Sequence, residues 1–190
     1  MEQESLNDYQ ENIIDHYKSI WKCNDPAIYL FDKGSFDKLP YDFRVLEFPP
    51  NFGRDMWTYA TCCMSQLDDY EKIEVHLFSK SKDVGIIELL TALAYYHRNT
   101  KMIGLNHTVN FGQPWVIDSN CKYGLISLPY LDGPKLENYL VGNNESIKFY
   151  WLIPITEEEV IYKRTYGIEA LETKFDNNFN YLNPLRKSVV

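Results

Sequence analysis

The sequence predicts an α/β (α+β) fold in which a mixed β-sheet sandwich is covered by helices. Three observations predict it. Apolar residues recur at helical spacing at Leu6, Tyr9, Ile13, Tyr17 and Ile20, and again at Ile86, Leu89, Leu90, Leu93 and His97. Between and after these stretches lie short segments rich in β-branched and aromatic residues. No repeat, low-complexity segment or long linker divides the 190 residues, so one domain is expected over 1–190, with its core at about 25–175.

Each element has its own reason. The first helix carries acids between its apolar residues and is broken by Asn24-Asp25-Pro26. Ala27–Phe31 and Phe43–Phe48 read as strands, and Pro49–Gly53 as a loop. Trp57–Ser65 and Ile73–Ser79 read as a hairpin around Gln66–Glu71. Asp83 is placed to cap a helix that runs to about Arg98. Gly104–Pro114 reads as a loop with a short extended piece at Thr108–Phe111. Gly124–Leu128 and Ile147–Ile153 read as strands. The second is apolar on both faces apart from Lys148, which predicts a central position. Thr156 with Glu159 matches a capping box, opening a helix that stops near Gly167. A shorter helix follows at Ile168–Phe175. The Asn-rich tail has Tyr181 and Leu182 as residues able to dock.

Composition narrows the functional classes. The net charge is −8, which argues against nucleic acid as a partner and permits a basic protein partner. The aromatic fraction is 15%, with 15 Tyr, a composition suited to a buried core and to protein interfaces. The cysteines Cys23, Cys62, Cys63 and Cys121 form no C-x-x-C pair, so no zinc ribbon or thioredoxin motif is expected. They read as reduced, mostly buried thiols, with Cys62 and Cys63 on opposite faces of a strand. The start of the chain has no signal-peptide pattern, and no apolar run reaches spanning length, so a cytoplasmic protein with no membrane partner is expected. The sequons at Asn106 and Asn144 then have no secretory context.

Catalytic motifs are missing: there is no G-x-S-x-G, P-loop, G-x-G-x-x-G or H-E-x-x-H. Strand alternation places His76 with Glu74 and Phe78, where a cross-strand polar contact is the expectation. His97 near a helix C-terminus suits an imidazolium. His16 reads as a surface residue, and His107 lies in a loop able to carry binding residues. A Cys62 or Cys63 pair with His76 is the candidate nucleophile and base, and the rival reading is a hydrolase or metal-dependent enzyme using His76, His107 and a Cys. Asp132 and Glu137 read as solvated loop acids, and Gly53-Arg54-Asp55 and Asp132-Gly133-Pro134 as turns. No cofactor, metal site or catalytic residue is expected.

A family resemblance adds to this reading. The segments Phe52–Thr61, Glu88–His97, His107–Trp115, Leu125–Tyr130 and Phe149–Glu157 resemble, in order, those of bacterial suppressor-of-fused-like domains. The resemblance implies a fold like the N-terminal domain of the animal proteins. It also implies a non-catalytic immunity protein, or antitoxin, that binds and neutralises a secreted polymorphic toxin. A general peptide- or protein-binding regulator is the alternative. The stretch that matches the peptide-gripping region of the animal members supplies the expected partner-binding residues: Tyr95, Tyr96, Asn106, His107 and Trp115. Asn106 stands where an Asp is expected, so the peptide specificity does not carry over.

Overall fold

The computed structural model describes residues 6–30, 38–142, 145–178, 183 and 185–190. Phe31, Asn144, Tyr181 and Leu182, to which the sequence assigned a strand end, a sequon and a docking tail, lie outside the described residues. In chain order the elements are α1 (Leu6–Trp21), β1 (Ala27–Tyr29), β2 (Arg44–Phe48), β3 (Trp57–Cys62), β4 (Lys72–Ser79), α2 (Gly85–Asn99), β5 (Thr108–Asn110) and β6 (Cys121–Ser127). They continue with α3 (Pro134–Glu137), β7 (Asn138–Val141), β8 (Glu145–Thr156), α4 (Glu157–Tyr166) and α5 (Ile168–Asp176). This is the α/β class expected, a multi-strand sheet with helices. The segment Pro134–Val141, which has no clear periodicity of its own, supplies α3 and β7.

The chain falls into two compact units: Met1–Ile103 with Leu128–Tyr150, and Gly104–Ser127 with Trp151–Val190. In the first unit the strand order is β1-β2-β3-β4-β8, and β7 also pairs with the start of β8. Helix α1 buries Tyr9, Ile13, Tyr17 and Trp21, one residue every four, which keeps them on one face. Leu6, expected in that stripe, is 55% exposed, and Trp21 extends the stripe at its other end. These side chains share a core with Leu46, Phe48, Ala60, Leu136 and Phe149. Alternation leaves Val45 and Tyr59 for the opposite face. There the Tyr59 hydroxyl accepts the Asp83 N–H at 2.9 Å, just ahead of α2. Helix α2 packs on β2 and β3. Its buried face is Ile86, Ile87, Leu90, Thr91, Leu93, Ala94 and His97, with Leu89 only half-buried. Asp83 does not cap in the expected way: its carboxylate accepts the Gly85 N–H at 2.8 Å, while Val84 occupies the cap position without a side-chain bond.

The expected hairpin is present, with β3 and β4 in antiparallel register from Trp57↔Ser79 to Ala60↔His76. All eight residues of β4 are buried, so neither of its faces meets water. Glu74 therefore sits wholly inside. Its carboxylate accepts hydrogen bonds from the Thr61 hydroxyl (2.5 Å), the Ser65 hydroxyl (2.6 Å), and the N–H groups of Ser65 (3.0 Å) and Met64 (3.3 Å). Tyr9 and Ser65 share a hydroxyl contact at 2.7 Å that links this network to α1. The turn it secures contains Cys63 at φ 60°. That left-handed backbone overturns the expectation that Cys62 and Cys63 face opposite sides: both lie in the α1 core, sulfurs 3.9 Å apart.

In the second unit β5, β6 and the end of β8 form an antiparallel ladder. Gly124 on β6 pairs with Pro154, and a Cβ there would lie 2.5 Å from both Leu152 Cδ1 and Phe111 Cζ. The expected capping box is present: the Thr156 side chain accepts the Glu159 N–H and the Glu159 carboxylate accepts the Thr156 N–H. Glu159 is fully buried and also accepts two bonds from the Arg186 guanidinium, at 2.5 and 2.8 Å, and the Val189 N–H at 3.0 Å. One carboxylate thus starts α4 and docks residues 186–189. Among the described residues, no helix is long and apolar enough to cross a membrane.

Two outcomes follow from this packing. Gly124→Ala should lower stability by roughly 1–3 kcal/mol through overpacking, read as a lower melting temperature with the far-ultraviolet spectrum retained. Burial pushes the Glu74 carboxyl from its ordinary 4.5 up to about 7, opposed by its Ser65 and Thr61 hydrogen bonds. A raised carboxyl holds its proton in the fold longer than in the unfolded chain. Its contribution is full below the unfolded value and is lost as pH rises through about 7. Between pH 5 and pH 8 the wild type should lose melting temperature relative to Glu74→Gln. An unchanged difference between the two proteins across that range contradicts the assignment.

Candidate partner-binding site

The five residues expected to contact a partner occupy both units. In the first, Tyr95 and Tyr96 are half-buried near the end of α2. The Tyr96 carbonyl accepts the N–H groups of Thr100 and Lys101, both at 2.9 Å, which closes the helix. In the second, Asn106 and His107 share an exposed turn held on β6. The Asn106 N–H donates to the Ile126 carbonyl at 2.8 Å, and the His107 carbonyl accepts the Ile126 N–H at 2.9 Å. Asn106 takes a left-handed backbone at φ 65°, a conformation that Asn tolerates better than most residues. Lys163 donates to its carbonyl and to the Thr108 hydroxyl. The His107 Nδ1 accepts the Gly104 N–H at 3.0 Å, which leaves its Nε2 side toward solvent as a donor. Trp115 is 7% exposed, and its backbone N–H donates to the Cys121 carbonyl at 3.1 Å.

The other histidines differ from expectation. His97 is buried, and its Nδ1 accepts the Ile103 N–H at 3.1 Å. Burial, with Arg98 beside it, holds it below the usual imidazole range, so it is the neutral ring and not an imidazolium. His16 is half-buried at the edge of the α1 core. It packs on Tyr139 and Phe149 and lies 3.1 Å from the Leu136 carbonyl. His76 faces Ala60 across the ladder and makes no cross-strand polar contact. Neither of its ring nitrogens has a hydrogen-bond partner among the described residues. Burial and the Arg54 charge lower it to about 3. Cys62 lies 3.8 Å from the Gln10 carbonyl. Burial pushes its thiol up, and its contact with Cys62 together with burial does the same for Cys63. These are protonated core thiols and a neutral, enclosed imidazole, the opposite of an activated nucleophile.

The most concentrated electrostatics lie where turns were expected. Helix α1 ends at Trp21, and Lys22 leaves it at φ 50°. The Asn51 side-chain amide donates to the Trp21 carbonyl at 3.2 Å, satisfying a helix-end acceptor. Asn51 and Arg54 close a tight turn by exchanging backbone bonds of 2.9 and 3.1 Å. From this turn the Arg54 guanidinium enters the first unit, 5.3 Å from the Trp21 ring and 5.0 Å from the Phe78 ring. It pairs with Asp132, whose carboxylate is 1% exposed. Asp132 is therefore not a solvated loop acid. Its second oxygen lies 3.5 Å from His76 Nε2. Burial raises its carboxyl, and Arg54 and then the Trp21 indole pull it back. The aromatic walls leave one side of Arg54 at an open pocket of ≈ 610 Å3, lined by Ile20, Trp21, Lys22, Asn51, Phe52 and Gly53. On the next loop, Leu128, Pro129, Tyr130, Gly133, Pro134 and Glu137 surround a smaller pocket of ≈ 260 Å3. Nothing in the sequence pattern distinguishes Arg54 or Asp132 from ordinary turn charges.

Comparison with known proteins places the chain. The family model for suppressor of fused protein matches residues 40–187. A suppressor of fused homologue from Neisseria gonorrhoeae FA 1090 has 33% identity and a TM-score of 0.84, covering 97% of this chain and 98% of its own. The Sufu–Fu complex structure matches at 13% identity with a TM-score of 0.71, over 95% of this chain and 92% of that one. Drosophila Suppressor of Fused has the same identity and TM-score over 95% of this chain and 51% of its own length. These last two show the shared fold. No curated protein matches the chain.

Removing one partner of a buried ion pair strands the other. Asp132→Ala should cost roughly 3–5 kcal/mol, measured by chemical denaturation. The double variant Arg54→Met with Asp132→Leu should recover much of that loss, since an apolar replacement removes both desolvated charges. Equal destabilisation of the single and double variants would remove the ion pair from the account.

Proposed function

We propose that this chain, which belongs to the suppressor of fused family, is a non-catalytic immunity protein that binds and neutralises a cognate secreted toxin in the cytoplasm. The observation that carries the reading is the placement of its reactive groups. Cys62, Cys63 and His76 are enclosed in the core, whereas large apolar side chains, among them Phe52, Tyr130, Leu131 and Tyr41, stand at the surface. Catalysis needs a reachable, activated group; stoichiometric binding needs exposed anchors. One structural relative is seen in a Sufu–Fu complex, which supports a protein partner. The net charge of −8 suits a basic toxin domain, which would be steered to it. A general protein-binding regulator would use the same surface chemistry without a toxin.

The proposed contact residues are Tyr95 and Tyr96 in one unit and Asn106 and His107 in the other, each patch tested by its own variant; Trp115, expected with them from the sequence, is 7% exposed and offers little contact area. Co-expression with the product of the adjoining gene should give a stable one-to-one complex and relieve its toxicity. Tyr96→Ala and His107→Ala should each weaken that complex by roughly thirtyfold, the effect of a hot-spot truncation, with melting temperatures near wild type. Turnover of an ester or peptide substrate at sub-stoichiometric protein, without a stable complex, contradicts the proposal.

A further inference from the structure

We infer that the Trp21–Arg54 pocket of the first unit is a docking site for an acidic side chain of a protein partner, flanked in that partner by apolar residues. The inference rests on the binding reading of the chain and names the chemistry of one contact. The chain carries eight more acids than bases, yet the pocket lining holds two cations, Lys22 and Arg54, and no acid. Its local sign is opposite to that of the molecule, which is charge complementarity for an anionic group.

The two cations differ in what they supply. Arg54 is neutralised by Asp132, so it adds little net field. It adds a guanidinium within cation–π distance of both Trp21 and Phe78, whose fork donates to Asp132 from Nη2 and has further N–H groups to offer. Such a group is already ordered before a ligand arrives, which reduces the entropy lost on binding. Lys22 is exposed and supplies the uncompensated charge. A guanidinium fork and an ammonium on one rim match a carboxylate. Ile20 and Trp21 wall the pocket, and Phe52 stands fully exposed at its edge. A free small anion would leave that apolar rim uncovered, whereas a peptide segment would bury it; the rim therefore favours a protein source.

The test uses a capped leucine–glutamate–leucine peptide and its glutamine twin, titrated into 15N-labelled full-length protein. The chain has four tryptophans, so the indole N–H of Trp21 is one of four resolvable signals. The glutamate peptide should shift it saturably, and the twin should bind roughly tenfold more weakly, as expected when a charge pair is lost. Lys22→Glu, a change at an exposed residue, should weaken the glutamate peptide by a similar factor while its melting temperature stays at wild type. Phe52→Ala should weaken both peptides. Equal binding of the two peptides, an unaffected Lys22→Glu variant, or an absence of saturation overturns the inference. So does sodium acetate alone reproducing the shift at the same concentration. A toxin complex that forms without any peptide binding defeats this inference alone. Peptide binding without a toxin partner supports it and leaves the immunity reading to fall separately.

Discussion

The first unit depends on an ion pair whose acid is buried and whose guanidinium is largely so. Arg54 and Asp132 come from turns far apart in sequence, and each would be costly to bury by itself. Their meeting therefore couples two loops, Asn51–Arg54 and Pro129–Gly133, whose large apolar side chains Phe52, Tyr130 and Leu131 stand exposed and so do little to hold the loops in place. The same pair fixes what surrounds it. The Trp21 and Phe78 rings both lie within cation–π distance of the guanidinium, and His76 stays neutral because both burial and Arg54 disfavour a second positive charge. A hydrophobic substitute could fill the same volume, but it would not orient the two loops by charge and hydrogen-bond direction.

The second unit solves a comparable problem with other residues. Glu159 is buried because it starts α4, and it is tolerable there because Arg186 returns from the end of the chain to meet it with two hydrogen bonds. The Arg186 fork also donates to the Pro154 carbonyl, at the end of the strand that precedes the helix. In both units an arginine fork joins segments that periodic secondary structure leaves unjoined. Glu74 is also buried and is handled differently, by hydroxyls and backbone N–H groups. That neutral environment is why burial prevails and its carboxyl moves up.

This division of labour bears on function. Thiols and an imidazole that could have served a reaction are used as packing material in a dense core, where their reactivity is suppressed. What remains at the surface is aromatic and aliphatic area next to ordered polar groups, the composition of a binding surface.

Periodicity and local chemistry determined much of this protein. The 3.6-residue spacing in α1 and α2, the β3–β4 hairpin, the central strand β8 and the Thr156–Glu159 capping box were all legible, because each depends on residues near one another in the chain. The same holds for the family, whose ordered segments from Phe52 to Glu157 are a linear signal. The two tyrosines of α2 and the Asn106–His107 turn could be assigned to their local elements, though not to a partner. Only tertiary structure decided the rest. A left-handed residue at Cys63 overturned strand alternation for two cysteines; Tyr139 and Phe149 half-covered a histidine expected at the surface; and Ile103 turned His97 into a neutral acceptor. Arg54 and Asp132 looked like solvated turn charges because each lacks a partner within its own loop. Their 78-residue separation becomes a contact only once the sheet and α1 bring the loops together, and a charge's environment is set by what folds around it and not by its neighbours in sequence.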